Sequence, residues 1–421
     1  MKTSPKVTLL HYTAPPIIGG VEHTIYHHCR LLIRKGFKVS VISGRGETWD
    51  PRLRLHLIPK FDSQHPEIVT ITRALEDGHI PESFASCQEQ LYAALRAALE
   101  GEQVCLAHNV LSLHFNLPLT AAIHQLIDDG IPTRFVAWNH DFSWTDPAQQ
   151  NKMHHGFPWD LLRKPREELT YVVVSEDRRT ELAKLLGVSK SRMRTIPPGV
   201  DLSRFFRLRS TSRDIINKFE LLEADLLLLL PARITELKNI ELGIQVVACL
   251  HKLGCDARLI VTGPPDPHDA RKGSYLKHLE ALRKRLEIDE EVIFLSIQDI
   301  ESKELFRVSD DVIADLYQVC DVLFFPSKSE GFGIPLLEAG LARIPVFCSD
   351  IPPFHESAKD YVNFLQVDDE PLEIAQQILD VLSQDETHAL RQRVLAQYRW
   401  RGIMDQHVVP LIHRLARKST R

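Results

Sequence analysis

Short apolar runs alternate with longer amphipathic stretches through nearly all of this 421-residue chain. A short run rich in Val, Ile, Leu and Phe is typical of a buried strand, and an amphipathic stretch such as Gln88–Leu99 is typical of a surface helix. Strands that alternate with helices build βαβ units, whose sheets are parallel. The pattern therefore predicts an α/β protein with doubly wound sheets.

The predicted strands form two series with a gap between them. The first series comprises Val7–Tyr12, Val39–Ser43, Leu55–Ile58, Val104–His108, Arg134–Trp138 and Tyr171–Ser175, and the second Leu226–Pro231, Leu259–Gly263, Val292–Ser296, Val322–Pro326 and Val346–Cys348. In the gap, the prolines and the glycine of Ile196–Asp201 interrupt regular structure. We therefore expect two domains, residues 1–200 and 201–397, with ligand sites at the carboxyl ends of their strands.

Composition limits the kinds of partner. With 51 basic and 56 acidic residues the formal charge is −5, which gives no overall attraction to nucleic acid or anionic lipid. The first residues do not resemble a signal peptide, and no run approaches the ~18 apolar residues of a spanning helix. Seven cysteines without a C-x-x-C pair indicate reduced thiols. We predict a cytoplasmic protein with small-molecule partners, and peripheral membrane contact stays open.

The most informative segment is Val322–Gly340, V-L-F-F-P-S-K-S-E-G-F-G-I-P-L-L-E-A-G. An apolar strand leads into a glycine-containing turn, and Pro335 stands where the first turn of a helix accepts proline. The N–H groups of a helix N-terminus bind anions, so we expect a phosphate above Gly333–Leu336. Glu330 lies in the turn and Glu338 lies one turn into the helix, which predicts that both carboxylates reach this site.

Residues 329–338, S-E-G-F-G-I-P-L-L-E, resemble the E-x7-E motif of the family 4 retaining glycosyltransferases. Four further segments match this family in the same order along the chain: P-P-I-I-G-G-V-E at 15–22, W-N-H-D at 138–141, I-P-P-G-V-D at 196–201 and P-A-R-I-T-E-L-K-N-I-E at 231–241. The resemblance covers nearly the whole length. It implies the GT-B fold, in which two Rossmann-like domains face each other across a cleft, and a nucleotide-sugar donor.

The resemblance also implies roles for the matching residues. Arg233 and Lys238 would be catalytic residues that hold the departing diphosphate. Glu330 would position the sugar hydroxyls, Glu338 would accept two hydrogen bonds from the ribose diol, and His140 would lie beside the transferred sugar. Further donor-binding residues would be Gly19, Gly20, Gly331, Phe332, Gly333 and Ile334, and acceptor-binding residues would be His11, His108 and Asp141. No D-x-D tripeptide or zinc-site spacing occurs, so we expect neither a metal nor another cofactor.

The predicted activity is retaining hexosyl transfer, in which the resemblance implies that the departing phosphate accepts the acceptor's proton. GDP-mannose or UDP-glucose is the expected donor, and a small sugar or sugar acid the expected acceptor. Three alternatives stay open: a glycosyltransferase that acts on a lipid-linked glycan at the membrane surface, a GT-B sugar-nucleotide epimerase, and a non-catalytic protein that binds nucleotide sugars.

Two features depart from this pattern. Pro198 stands where the family usually has asparagine. Val308–Ala314 has the character of material added before the strand at Val322. The apolar stripe of Ile403–Leu415 predicts a C-terminal helix within residues 398–421, and the GT-B resemblance implies that this helix packs back on the first domain.

Overall fold

The structure is a computed structural model that describes residues 5–265, 274–297, 308–366 and 369–419. These residues form two compact units. The N-terminal unit comprises the described parts of Met1–Val200 and Tyr398–Arg421, and the second unit those of Asp201–Gln397. The chain therefore enters the second unit after Val200 and returns to the first at Tyr398.

A parallel sheet forms the centre of the N-terminal unit. Its described strands are β1 (Lys6–Leu10), β2 (Lys38–Ser43), β3 (Arg54–Leu57), β4 (Val104–His108), β5 (Arg134–Asn139), β6 (Thr170–Val173) and β7 (Met193–Thr195). They are arranged in the order β3-β2-β1-β4-β5-β6-β7, and Val7 of β1 pairs with both Val39 and Val104. The strand order reverses between β1 and β4, which is where doubly wound sheets bind ligands.

The second unit repeats this plan. Its described strands are β8 (Leu226–Leu230), β9 (Ala257–Val261), β10 (Val292–Phe294), β11 (Val322–Phe325), β12 (Val346–Ser349) and β13 (Asn363–Leu365). Their order is β10-β9-β8-β11-β12-β13, with Leu228 paired to Val322. The order reverses between β8 and β11, so the loops after these two strands share one end of the sheet.

Helices connect most of the strands. Those that precede the second unit are α1 (Gly20–Arg34), α2 (Pro66–Glu76), α3 (Ser83–Ala98), α4 (Leu117–Asp128) and α5 (Glu176–Leu186). The second unit contains α6 (Leu202–Phe205), α7 (Ser210–Lys218), α8 (Ile240–Lys252), α9 (Ser274–Arg285), α10 (Asp310–Val319), α11 (Ile334–Ala342), α12 (Pro352–Ala358), α13 (Pro371–Ser383) and α14 (Glu386–Gln397).

The predicted strands all occur in the structure, with ends that differ by one or two residues. The sequence does not predict β7 and β13, because each has three residues and is only partly buried, whereas the equally short β10 is fully buried. Val308–Ala314, which we expect to be material added before the strand at Val322, leads into and begins α10. This helix contributes buried Val312 and Leu316 to the core of the second unit.

The C-terminal segment packs in the N-terminal unit. It consists of α15 (Trp400–Ile403), a π-helical turn (Met404–Val408) and α16 (Val409–Ser419). One buried cluster combines residues of this segment with residues of the first sheet: Ile403, Met404, Val408, Leu411, Ile412, Val7, Leu9 and Val104. Burial of such side chains contributes about 1.5–3 kcal/mol each, which anchors the segment. No helix in the described ranges is both long and apolar enough to cross a membrane.

Candidate active site

Two side chains of the second unit hold the carboxylate of Glu330. This residue lies in the loop after β11, where its Oε1 forms an ion pair with Lys238 Nζ. Ser327 Oγ donates a hydrogen bond to the same oxygen at 2.9 Å. The Glu330 and Lys238 side chains are only 14% and 20% exposed, and the pairing compensates two half-buried charges. The structure therefore brings together two of the predicted catalytic residues.

The loop after β8 carries both predicted cations, but they differ in their contacts. The Lys328 N–H donates to the Leu237 carbonyl at 2.8 Å, which ties this loop to the one after β11. Asn239, next to Lys238, has a φ of 49°, in the left-handed region that Asn tolerates better than most residues. Arg233 is exposed and, among the residues that the structure describes, has no carboxylate partner. Lys238 is thus neutralised within the protein and Arg233 is not.

Helix α11 begins directly after Gly333, whose φ of 96° lies in the left-handed region that favours glycine. A side chain at this position would also meet the ring of Phe354 at 2.7 Å. Pro335 has no N–H, and the Leu336 N–H donates to the Gly333 carbonyl at 3.0 Å. An anion at this end of the helix would therefore be bound by earlier N–H groups such as that of Ile334, and not by the whole first turn.

The remaining predicted donor residues of this segment are exposed. Glu338 lies one turn further along α11. Gly331, Phe332 and Ile334 are also exposed. The start of α11 and the loop before it are therefore accessible to a ligand.

In the N-terminal unit, His140 follows β5 directly at the carboxyl end of the sheet. Its backbone N–H donates to Asn109 Oδ1 at 2.7 Å, and its Nε2 lies 3.3 Å from Nδ1 of His108. Asn109 itself has a φ of 58° directly after β4. These contacts fix the imidazole of His140 and leave Nδ1 as the ring nitrogen turned away from His108.

The placement of His108 does not support the acceptor contact expected of it. Its ring is fully buried, stacks on Trp138 with centroids 5.3 Å apart and lies 5.7 Å from the ring of His28. His11 is also buried, and its Nδ1 lies 2.8 Å from the His108 carbonyl. A carbonyl only accepts, so this nitrogen of His11 carries a proton. Both rings support the strand ends beneath His140.

Glu22 links the glycine loop to this cluster. Its Oε1 accepts a hydrogen bond from Thr13 Oγ1 and lies 3.8 Å from His11 Nε2. The same carboxylate lies so close to Gly19 that any Cβ there would collide with it. Gly20 begins α1 and has open space around it. Close approach of Glu22 therefore accounts for the first glycine of the pair.

Burial keeps the histidines of this cluster neutral. Together with a smaller effect of nearby histidines, it lowers the pKa of His140 to about 4 and that of His28 to about 3. Burial also lowers the pKa values of His108 and His11. A neutral imidazole has one N–H donor and one acceptor nitrogen, so His140 acts near pH 7 through hydrogen bonds and not as a cation.

Asp141, the other predicted acceptor residue, is exposed but paired. Its Oδ1 accepts a hydrogen bond from Arg178 Nη2 at 3.3 Å, and Arg178 Nη1 donates to Glu181 at 2.6 Å. Arg178 and Glu181 line a surface pocket together with Thr145. The charge of Asp141 is therefore partly neutralised before any acceptor arrives.

Sequence reasoning missed the residues that hold the predicted side chains in place. Ser327 and Asn109 lie within two residues of the ends of β11 and β4. Because both are central strands, this position could have predicted that the two residues lie at the site. Glu22 lies on helix α1 and gives no comparable signal. Within the described ranges, no group of three or more His, Cys, Asp and Glu side chains is arranged to hold a metal ion.

Two family models match the chain, one over most of each unit. The model described as Glycosyltransferase Family 4 matches residues 18–204, and the model described as Glycosyl transferases group 1 matches residues 212–395. The chain belongs to glycosyltransferase family 4. Its two Rossmann-like units are those of the GT-B fold, as the motif resemblance implied.

This family 4 chain is similar to proteins with mannosyl activities in their names. The mannosylglucosylglycerate synthase of Petrotoga mobilis is 26% identical over 63% of this chain and 63% of its own, so the chain spans less than two thirds of that relative. An MMP alpha-(1->4)-mannosyltransferase of Mycolicibacterium hassiacum is 25% identical over 82% of this chain and 80% of its own. Among solved structures, the trehalose-6-phosphate synthase OtsA covers 97% of this chain and 99% of its own, with 14% identity and a TM-score of 0.40.

Proposed function

We propose that this protein is a retaining, metal-independent hexosyltransferase that moves a sugar from a nucleotide sugar to an acceptor hydroxyl. The observation that carries the proposal is the grouping of Glu330, Lys238 and Ser327 in a family 4 chain. Both described contacts are made to Oε1 of Glu330, so Oε2 can accept hydrogen bonds from sugar hydroxyls.

Lys238 and Arg233 supply positive charge for the departing diphosphate. A leaving diphosphate gains negative charge in the transition state, and preorganised cations stabilise that charge more than they stabilise the ground state. A donor phosphate would also compete with Glu330 for Lys238, which would turn the carboxylate toward the sugar. The departing phosphate itself accepts the acceptor's proton, so the mechanism needs no protein base.

Mannose is the sugar that we favour, because relatives are named as mannosyltransferases and as mannosylglucosylglycerate synthases. We therefore assign GDP-mannose as the first donor to test and UDP-glucose as the second, with a glycerate glycoside as the acceptor class. In this assignment the second unit binds the donor, with the ribose diol on Glu338, and the N-terminal unit binds the acceptor. Free thiols at all seven cysteines fit a reducing, cytoplasmic location.

Mass spectrometry of the acceptor tests this proposal. The full chain is incubated with GDP-mannose or UDP-glucose and with glycerate, glucosylglycerate or a lipid-linked glycan. We expect one acceptor to gain a hexosyl residue, and Glu330→Gln to reduce that gain. An epimerase would change the donor and leave every acceptor unchanged. A binding protein would be stabilised by the nucleotide sugar, by about 2.7 kcal/mol at 100 times its Kd, without any product.

A further inference from the structure

The imidazole of His108 has one nitrogen that contacts a partner and one that does not. Its Nδ1 lies 3.3 Å from Nε2 of His140. Its Nε2 is buried and has no hydrogen-bond partner in the part of the chain that the structure describes. The ring is fully buried and stacks on Trp138, with the centroids 5.3 Å apart. The direction of the one bond to His140 therefore determines which nitrogen of each ring carries a proton.

The two possible directions of this bond are not equivalent. Burial lowers the pKa of both imidazoles, so each is neutral and has one N–H and one acceptor nitrogen. If His140 donated, the proton of His108 would be on Nε2, as a buried N–H group without an acceptor. If His108 donates from Nδ1, its Nε2 is an unsatisfied acceptor instead. Buried backbone N–H groups without a partner are rarer than unsatisfied carbonyls, and the same preference applied to the ring favours donation from His108.

Donation from His108 leaves the proton of His140 on Nδ1. No described residue forms a hydrogen bond with this nitrogen, and it is not one of the buried atoms that lack a partner. His140 is partly exposed, and the 2.7 Å bond from its backbone N–H to Asn109 fixes it at the carboxyl end of β5. The ring therefore presents an N–H group, and not a lone pair, to a ligand at this end of the sheet.

We infer that His108 is a positioning residue that holds His140 in its Nδ1–H tautomer, so that His140 donates a hydrogen bond to an oxygen of the bound hexose. The contact with the hexose rests on the proposed function, whereas the tautomer does not. An Nδ1–H group cannot take the proton of the acceptor hydroxyl, which agrees with a mechanism in which the departing phosphate takes it. A donor fixed before binding also increases affinity by reducing the ordering cost.

Two-bond proton–nitrogen NMR of the full chain labelled with nitrogen-15 histidine tests the tautomer without any ligand. The signals of His140 are identified by their loss in His140→Gln. Near neutral pH we expect the Nδ1–H form to be favoured roughly tenfold in the wild-type protein. His108→Phe keeps a ring that can stack on Trp138 and removes the donor, so the ratio should shift about tenfold toward the Nε2–H form. His28→Phe is the matched control, because the ring of His28 lies 5.7 Å from that of His108 and has no hydrogen bond to His140.

Calorimetric titration tests the consequence for the ligand. GDP-mannose and UDP-glucose are titrated into the full chain alongside GDP and UDP. We expect His108→Phe to weaken binding of the nucleotide sugar roughly tenfold and binding of its diphosphate less than about twofold. The amide of His108→Asn can donate from a position near that of Nδ1, so this variant should restore most of the affinity together with the Nδ1–H tautomer.

Each contrary result has its own meaning. A proton on Nε2 of wild-type His140 would overturn the assigned direction of the bond. An unchanged tautomer in His108→Phe would show that His108 does not select it. Equal losses for the nucleotide sugar and its diphosphate would limit His108 to a packing role. If the wild-type protein binds neither nucleotide sugar, the proposed function fails together with the hexose contact, whereas the tautomer is decided by NMR alone.

Discussion

Lys238 Nζ and Glu330 Oε1 form an ion pair that joins the loops after β8 and β11, the two strands at which the second sheet reverses its order. A largely buried pair of this kind is weak evidence for the stability of a fold, because the desolvation of both charges offsets much of their attraction. Its position at the carboxyl ends of central strands instead places one cation and one carboxylate, already oriented, where such folds bind ligands.

Replacing either cation should lower kcat. We expect Lys238→Ala and Arg233→Ala each to reduce kcat by about 10² to 10³, the scale of losing one donor to a developing anion. The double variant should lose less than the product of the two effects, because both cations serve one diphosphate. Steady-state kinetics at saturating donor measure these effects, with Lys328→Ala as the control because Lys328 is an exposed lysine of the neighbouring loop. Single variants that keep kcat and change only KM would limit both cations to ground-state binding.

Replacing two glycines of the α11 region with alanine should change the stability of the protein in opposite directions. Gly333→Ala forces a β-carbon into a left-handed backbone against Phe354, and we expect it to cost about 1–3 kcal/mol and to weaken donor binding. Gly340→Ala in the same helix meets open space and should stabilise the protein by about 0.5–1 kcal/mol. Urea unfolding measures both, and equal stabilities for the two variants would contradict the assigned strain at Gly333.

The free energy of unfolding should decrease as the pH is lowered, because the buried histidines resist protonation in the folded protein. Their folded pKa values lie below the ordinary value of about 6.5, so below that pH the unfolded chain binds more protons than the folded one. Each such group removes up to about 1.4 kcal/mol per pH unit until its folded pKa, about 3 for His28 and about 4 for His140, is reached.

His28→Leu isolates one of these groups. Both ring nitrogens of His28 are buried without a hydrogen-bond partner, so the change sacrifices no such bond. We expect a smaller loss of unfolding free energy between pH 6 and pH 4 than in the wild-type protein, measured by urea titration at each pH. The exposed His79→Leu is the control and should keep the wild-type dependence. A wild-type slope in His28→Leu would show that His28 is protonated in the folded protein.

The sequence was most informative where hydrophobic patterns are long. The runs at Leu226–Leu230 and Val104–His108 predicted central strands, because such strands are buried on both faces and contain almost no polar residues. Edge strands such as Met193–Thr195 escaped prediction because they are short and partly exposed. The ordered motifs identified the family, and the segment at 322–340 predicted the turn into α11.

The sequence was less informative about which side chains meet. The spacing of the motif does not distinguish the contacts of Lys238 from those of Arg233. Only the folded loops show that Lys238 pairs with Glu330 while Arg233 is exposed. The hydrogen bond from the Tyr317 hydroxyl on α10 to the Pro335 carbonyl on α11 likewise depends on how two helices pack, which spacing along the chain does not give. Burial of His108 depends on the rings of Trp138 and His28 packing around it, which periodicity does not reveal.

Proton NMR of the transfer reaction tests the central claim most directly. The full chain is mixed with an α-linked nucleotide sugar, GDP-mannose or UDP-glucose, and with the acceptor that gains mass, in buffer containing EDTA. We predict that the anomeric signal of the donor is replaced by that of an α-linked product at a rate unchanged by the chelator. A β-linked product, or transfer that stops in EDTA and returns with Mn²⁺ or Mg²⁺, would contradict the account of a retaining enzyme that uses Lys238 and Arg233 in place of a metal.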